Sequence, residues 1–359
     1  MTASNWIHIK NFHLPYLREF HKLGWKVHLA CAGVPDNIPY VDESINLPFQ
    51  KKIYSLENFK AAKILRNKYK IEKYDLIITH TSLAAFFTRL ALKKIKADTK
   101  VVNTVHGYLF DDTSKKIKRY FFLSAERFLR AETDLLLLMN SYDYNLAIKY
   151  KLAKKIVQIP GIGVDFSKFD DVIETDRQNL RDQYQIPYGA FVLIFAAEFS
   201  IRKNQKFLIN LMNKLPENVF LILPGEGKLL EKSKKYAEKV GLKNKIIFPG
   251  FVQNMANWYK AADLAISPSR SEGLPFNIIE AMYMNLPIVA SAVKGHIDLL
   301  KDSATAKLYP YNDAEKCLEC IKFFMNKNKN MVINNKEIVE KYSLNLVLPQ
   351  LMNLYLEGI

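Results

Sequence analysis

Two carboxylates bracket a turn between a strand and a helix in the last third of this sequence. The run Ser267-Pro-Ser-Arg-Ser-Glu-Gly-Leu-Pro-Phe-Asn-Ile-Ile-Glu-Ala-Met282 follows the apolar strand candidate Asp263–Ser267. Its Gly/Pro turn predicts a helix starting near Pro275. Glu272 lies in the turn, and Glu280 lies about one turn inside the helix. Helix N-termini leave backbone N–H groups free and carry partial positive charge, so Leu274, Pro275, Phe276 and Asn277 form a ready anion site. A phosphate fits there, while the two carboxylates accept hydrogen bonds from vicinal hydroxyls. The plainer reading is a turn residue and an acid that complements the helix dipole. A second feature weighs against it. Ala197-Glu-Phe-Ser-Ile-Arg-Lys-Asn-Gln205 follows the first strand candidate of the same half. Ligands of doubly wound sheets bind at the carboxyl ends of strands, and Arg202 and Lys203 stand just beyond one, where a diphosphate needs cations.

A chain of 359 residues is long for one core, so two domains are expected. Hydrophobic residues at 49% and charged ones at 25% exclude a wholly disordered chain. No apolar run reaches the roughly 18 residues of a bilayer span, which excludes a transmembrane helix, and the N-terminus lacks a secretory signal pattern. Three cysteines cannot build a disulfide framework. Cys317 and Cys320 form a C-x-x-C in a helical-looking stretch without a second pair, so metal or redox use is not expected there. These readings place the chain in the cytoplasm.

The net charge of +16 is lopsided: residues 1–160 hold 27 Lys+Arg against 14 Asp+Glu, and residues 161–359 hold 25 against 22. A basic first half suits an anionic partner, whether nucleic acid, acidic substrate or anionic membrane leaflet, unless it is only a lysine-rich solvated surface.

Apolar runs alternate with helical patterns throughout, which predicts α/β architecture with parallel sheets. The first half offers strands at Lys26–Ala30, Asp75–Thr79, Lys100–Val105, Asp134–Met139 and Lys155–Ile159. The second offers Phe191–Ala197, Val219–Pro224, Lys245–Pro249, Asp263–Ser267 and Pro287–Ala290. Pro15–Leu23 reads as a helix closed by Gly24. Two doubly wound domains follow, joined near Pro160–Asp165, with an apolar-rich helix after Tyr342. Asn326–Lys336 reads as an exposed loop. Thr2-Ala-Ser4 reads as the polar turn that should follow a buried first strand, so that strand is expected to be missing. Either the sheet has a shortened centre or Met1 is not the natural start.

The sequence resembles the retaining family 4 glycosyltransferases of GT-B fold. Glu272 and Glu280, with seven residues between them, match that family's E-x7-E motif. Glu198-Phe-Ser-Ile-Arg-Lys-Asn, Leu223-Pro-Gly-Glu-Gly, Phe248-Pro-Gly-Phe, Ala262-Asp-Leu with Pro268-Ser, and Leu286-Pro-Ile-Val-Ala-Ser match around it. In the first half, Asn11-Phe-His-Leu-Pro15 and Thr104-Val-His-Gly107 are similar to the branch that builds capsular polysaccharides and exopolysaccharides.

The resemblance implies an acceptor-side domain over 1–160, a sugar-nucleotide-binding domain over 161–341, and a helix, 342–359, crossing back to the first. It implies that Arg202 and Lys203 bind the donor diphosphate and that Glu272 holds donor-sugar hydroxyls. Glu280 would bind the ribose, and the Gly273–Asn277 stretch would offer backbone donors from Gly273, Leu274, Phe276 and Asn277, with Pro275, which has no N–H, shaping the turn. Phe251 and Val252 would lie near the base, with Gly225 and Glu226 also on the donor side. His106 would face the donor sugar across the cleft, while Asn11 and His13 are candidate polar groups near the acceptor, unless Asn11 serves only as a cap before Pro15. No metal and no cofactor beyond the nucleoside-diphosphate sugar, by preference UDP-linked, is implied. Two departures stand out. Many members carry an arginine where this chain has Ala196-Ala-Glu198, and the family's glycine-containing loop is not evident in Ser4–Asn11.

The expected activity is retaining transfer of a hexose or N-acetylhexosamine to a lipid-linked saccharide at the anionic inner membrane surface. Lys115-Lys-Ile-Lys-Arg-Tyr-Phe-Phe-Leu123 mixes basic and aromatic residues as an interfacial helix does, the alternative being a helix packed through Tyr120, Phe121 and Leu123. Nucleic-acid binding would explain the charge but not Glu272 and Glu280, so no nucleic-acid partner is expected. The competing functions are a sugar-nucleotide epimerase of the same fold and a degenerate, non-catalytic accessory subunit, the latter motivated by the missing strand.

Overall fold

A computed structural model describes residues 1–96, 98–327 and 334–359. The chain divides into two compact units, Met1–Gly163 with Leu344–Ile359, and Val164–Ser343.

The first unit holds seven parallel strands: β1 (Thr2–Asn5), β2 (His28–Ala32), β3 (Glu43–Asn46), β4 (Leu76–His80), β5 (Lys100–Val105), β6 (Leu135–Leu138) and β7 (Lys155–Gln158), in the order β3-β2-β1-β4-β5-β6-β7. The second holds six: β8 (Phe191–Ile194), β9 (Val219–Pro224), β10 (Ile246–Gly250), β11 (Leu264–Ser267), β12 (Ile288–Ser291) and β13 (Ala306–Tyr309), in the order β10-β9-β8-β11-β12-β13. Both are doubly wound.

The first strand is therefore present, contrary to expectation. Thr2 and Ser4 look like turn residues because a buried strand is usually apolar. Here the Thr2 hydroxyl is satisfied by Thr88 Oγ1 at 3.0 Å, and Ala3 is fully buried. Thr2 pairs with Ala30 of β2 and Thr79 of β4, so β1 occupies the sheet centre with only four residues. The sequence also hides β3 and β13, short edge strands whose residues are mostly part-exposed and show no continuous apolar run.

The helix read at Pro15–Leu23 runs Leu14–Lys22, with Pro15 in its first turn. It buries Tyr16, Leu17 and Phe20 and ends as Gly24, at φ +77°, donates its N–H to His21 O. In the second unit β8, β9 and β11 are buried along their whole length, and Phe207, Leu208, Leu211 and Phe324 close over them from the helices Gln205–Met212 and Ala314–Lys327. Cys317 is buried in that core.

Three further expectations change. The stretch read as the loop Asn326–Lys336 lies partly outside the described residues, but Asn335 opens a short helix, Asn335–Val339. It is buried, donating to Leu286 O and accepting from Thr305 Oγ1. Asn11 is no cap: it lies exposed in the helix Trp6–Phe12, whose cap is Asn5, accepting from His8 N at 3.0 Å. On the helix Lys116–Phe128, Leu123 packs inward, whereas Ile117, Tyr120, Phe121 and Phe128 are exposed beside Lys116, Lys118 and Arg119. Phe121 meets Phe122 edge-on and Lys93 lies over the Phe128 ring, whereas Tyr120 keeps three quarters of its surface exposed. Among the described residues no helix is long and apolar enough to cross a membrane.

That helix is anchored by a buried ion pair. Arg89, with no exposed surface, grips Glu126 through two hydrogen bonds of 2.9 and 3.0 Å and donates to Ala85 O and Thr133 Oγ1. Removing one partner strands a charge in the core. Glu126→Ala is expected to cost about 3–5 kcal/mol in urea unfolding, and Arg89→Met in the same background should recover much of it.

Candidate functional site

In the second sheet the chain moves from β8 outward to β9 on one side and later returns to β11 on the other, so the β8/β11 boundary is the topological switch point. Ligands of such sheets bind beyond the carboxyl ends of these strands. Arg202 and Lys203 lie on the connection after β8, and Glu272 lies on the connection after β11. Hydrogen bonds tie the two segments together: Arg270 N donates to Arg202 O at 2.8 Å, and Asn204 Nδ2 donates to Pro268 O at 3.3 Å.

The side chains meet in one cluster. Glu272, 6% exposed, accepts from Lys203 Nζ at 2.7 Å through one carboxylate oxygen and from Arg202 Nη1 at 2.9 Å through the other. Arg202 also donates to Ser271 O at 3.0 Å. Burial alone would raise the Glu272 carboxyl, but the neighbouring Lys203 and Arg202 cations overcome it and hold the group at about 2. Lys203 is lowered from its ordinary value by burial, with the Glu272 carboxylate opposing that fall. Both shifts describe an ion pair withdrawn from water together. Arg202 keeps nearly half of its side chain exposed, so a guanidinium face remains for an incoming anion.

Backbone packing holds these loops. A Cβ on Gly295 would stand 2.6 Å from Gly273 O and 2.8 Å from Glu272 O, and the Gly295 N–H donates to Glu272 O at 3.2 Å. Only glycine allows the helix Lys294–Leu300 to seat against the Glu272 turn. Gly225 serves the β8 connection likewise: its φ of +136° and the 2.2 Å approach of Ala197 O to a would-be Cβ exclude a side chain. Glu226 beside it is exposed, and its carbonyl accepts from Phe199 N at 2.7 Å.

The helix predicted near Pro275 runs Phe276–Tyr283 with Pro275 as its cap, and Leu274 is buried beneath the turn. Gly273, Phe276 and Asn277 are part-exposed at its start. Glu280 accepts from Tyr259 Oη at 2.9 Å, and the same hydroxyl reaches Asn277 O at 3.1 Å. Although the residue is only partly covered, its carboxyl is withdrawn from water and pushed up to about 7 by burial. It lines a groove with Lys168, Gln253, Asn254 and Met255, directly after Phe251, which is exposed, and Val252, which is half-buried.

Two neighbours of this site were not legible in the sequence. Tyr259 reads as a core aromatic. His296 follows β12, fully buried, with Nδ1 2.8 Å from Ser291 O, and burial pushes its ring down to about 4. A pairing of tyrosine with Glu280 depends on a contact 21 residues away in sequence, which no spacing rule reports.

The first sheet carries a separate polar group at its own switch point, β1/β4. His8 and His13 follow β1, His80 ends β4, and His106 follows β5. One ring nitrogen from each lies within 4.8 Å of the others. His106 and His13 were foreseen singly, whereas His8 and His80 were not, because only the parallel sheet brings them together. Burial lowers the affinity of all four rings for a proton. Asn11, exposed on the helix Trp6–Phe12, is not one of this group.

Known proteins match both units. Residues 16–167 match Glycosyltransferase Family 4, and residues 176–340 match Glycosyl transferases group 1. EpsD of Bacillus subtilis strain 168, named as a glycosyltransferase, is 31% identical over 313 residues, covering 86% of this chain and 82% of the relative. The chain belongs to the family 4 glycosyltransferases of GT-B fold, in the exopolysaccharide and capsule branch. An Escherichia coli relative, UDP-Gal:alpha-D-GlcNAc-diphosphoundecaprenol alpha-1,3-galactosyltransferase, is 28% identical over 352 residues, covering 90% of this chain and 89% of that one. Among solved structures, Anabaena HepE in complex with UDP and glucose superposes with a TM-score of 0.76 at 18% identity, covering 98% of each chain. Sucrose-phosphate synthase from Thermosynechococcus elongatus does so with 0.76 at 19% identity, covering 95% of this chain and 92% of that one. At such identities the likeness shows the fold. These matches support glycosyltransferase activity on polysaccharide or lipid-linked sugars for this chain, and the accessory-subunit reading loses its motive once β1 is in place.

Proposed function

We propose that this glycosyltransferase moves a hexose or N-acetylhexosamine, with retention, from a UDP-linked donor to a lipid-linked saccharide. The observation that carries the reading is the buried Glu272 clamping Arg202 and Lys203 at the β8/β11 switch point. As the sugar–phosphate bond breaks, negative charge accumulates on the departing diphosphate while the sugar becomes oxocarbenium-like. A guanidinium, an ammonium and the N-terminal turn of Phe276–Tyr283 lie on adjacent connections and are already oriented, so little reorganisation accompanies the charge shift. In this reading the cations, with no metal on the donor side, neutralise the leaving group. Glu272 fixes both cations and offers its carboxylate to donor-sugar hydroxyls, and Glu280 takes the ribose, with Phe251 and Val252 near the base.

Two observations support the acceptor side of the reading. The Escherichia coli relative is named for a diphosphoundecaprenol-linked acceptor and a UDP-Gal donor. The helix Lys116–Phe128 presents Ile117, Tyr120 and Phe121 to solvent among basic residues, the composition of a helix that lies in an anionic membrane interface. In this reading the enzyme works peripherally, on the inner face of the plasma membrane.

The test is release of nucleoside diphosphate and sugar from a panel of uridine-, guanosine- and adenosine-diphosphate sugars, with the anomer of the product followed by NMR. One uridine donor is expected to be turned over with the anomeric configuration kept, faster when a diphosphate-linked lipid saccharide is added. An inverted product or a guanosine or adenosine donor overturns the corresponding part of the proposal.

A further inference from the structure

Four of the seven histidines of this chain converge on one point of the first unit. His8 Nε2 and His13 Nε2 are 3.2 Å apart, and His80 Nδ1 and His106 Nε2 are 3.3 Å apart. A tetrahedral ion bound by imidazole nitrogens at about 2.0–2.1 Å sets neighbouring nitrogens about 3.3 Å apart, the spacing of these two pairs, and all four ligand nitrogens lie within 4.8 Å of one another. The His13 and His80 rings stack with centroids 3.8 Å apart, and the His8 and His106 rings meet edge-on at 4.7 Å. His13 and His80 have no exposed surface, and their unpartnered nitrogens, His13 Nδ1 and His80 Nε2, are on the side of each ring away from the nitrogens that meet.

A structural role is a poor account of this arrangement. Buried histidines that serve the fold usually hold a carboxylate or a carbonyl, yet the four rings of this group bond chiefly to one another. Among the described residues no carboxylate belongs to the group. Neutral imidazoles crowded without an acid present lone pairs to a common centre, and borderline cations such as Zn²⁺ are what imidazole sets select. The location agrees with a binding site, since β1, β4 and β5 all end here at the switch point of their sheet. His8 and His106 are half-buried, so the centre can be reached from solvent. Thr81, directly after His80, is held at φ +66°, an uncommon conformation for a β-branched residue, and its hydroxyl accepts from Ser4 N at 3.1 Å.

We propose that His8, His13, His80 and His106 bind one divalent transition-metal ion of the zinc class. This departs from the sequence-based expectations that the chain holds no metal and that His106 faces the donor sugar, and it leaves the positive charge for the diphosphate to Arg202 and Lys203.

The test uses the full chain prepared without a histidine tag, stripped with a chelator, dialysed, and titrated with Zn²⁺ alone by calorimetry. Co²⁺ is used in parallel as a spectroscopic probe. One equivalent of Zn²⁺ per chain is expected, with a visible Co²⁺ spectrum of a low-coordinate nitrogen site that Zn²⁺ abolishes. His8→Ala and His106→Ala, both at half-buried positions, are each expected to weaken binding at least tenfold and together to abolish it, while the metal-free variants melt close to the metal-free wild type. His13→Ala and His80→Ala should do the same where they fold. Absence of stoichiometric uptake by the wild type overturns the proposal, as does undiminished uptake by the His8→Ala/His106→Ala double variant. Either failure leaves the transferase reading intact, because donor turnover is measured separately.

Discussion

Lys203→Ala is expected to lower turnover by about 10²–10³-fold, the loss seen when one oriented donor to a developing negative charge is removed. Donor affinity should fall less, because the charge on the diphosphate grows as the sugar departs. The same substitution also changes stability. Lys203 Nζ is 2.7 Å from a Glu272 carboxylate that is almost wholly buried, so removing the lysine leaves that carboxylate with Arg202 alone. Glu272→Ala is the reverse case, leaving a mostly buried ammonium unpaired, at a cost of about 3–5 kcal/mol. A double-mutant cycle separates the two effects. Lys203→Ala/Glu272→Ala should recover much of the lost stability by urea unfolding and none of the lost turnover. If the double variant recovers turnover as well, the pair only holds the fold together, and the role given to Lys203 is wrong.

The second large effect is a pH dependence of donor binding set by Glu280. Burial holds its carboxyl at about 7 rather than in the ordinary carboxylate range. Ribose hydroxyls donate hydrogen bonds, so they bind the ionised form. Above pH 7 that form is already present. Below it, binding must first expel a proton, and affinity should fall towards tenfold per pH unit. Uridine is the proper ligand for the calorimetry because it has no phosphate that titrates in this range. Glu280→Gln should bind more weakly at pH 8 and show a flat profile from pH 5.5 to 8. The sign for stability is opposite. A carboxyl whose folded value lies above its unfolded value of 4.5 binds its proton more tightly in the native state. The contribution is present below pH 4.5 and is lost as the pH rises through 7. Glu280→Gln should therefore gain stability relative to wild type between pH 5 and 8. A wild-type affinity that does not vary across this interval would remove Glu280 from the nucleoside contact.

The two acidic residues of one motif thus have opposite electrostatics. Glu272 is held ionised by two cations, whereas Glu280, which accepts from the Tyr259 hydroxyl and has only Lys168 of the same groove as a nearby positive charge, is held partly protonated by burial. The spacing that places them on one turn and one helix says nothing of this difference. It arises from which strand end each faces: Glu272 meets the β8 connection, and Glu280 meets the tyrosine of the helix Met255–Ala261.

Much of the architecture is carried by local sequence. Runs such as Leu135–Leu138 and Val219–Pro224 are apolar throughout, and a strand buried on both faces needs no partner information to be recognised. The same holds for Glu272, Arg202 and Lys203 as site candidates, because each lies just beyond the carboxyl end of a strand recognisable in the sequence and ligands gather there. Gly225 and Gly295 are legible only as glycines; the atoms that forbid a side chain, Ala197 O and Gly273 O, belong to other segments. The strand Thr2–Asn5 was hidden because its polar side chains are satisfied by Thr88 and Thr81, 77 or more residues away. The histidine group is the extreme case. His8, His13, His80 and His106 are spread over three strand ends, and no pattern along the chain links them. Local sequence determines which segments become strands and which turns follow them, since burial periodicity and turn chemistry act between near neighbours. Parallel pairing, which joins strands distant in sequence, alone decides which strand ends lie side by side, and so which charges are paired and which imidazoles meet.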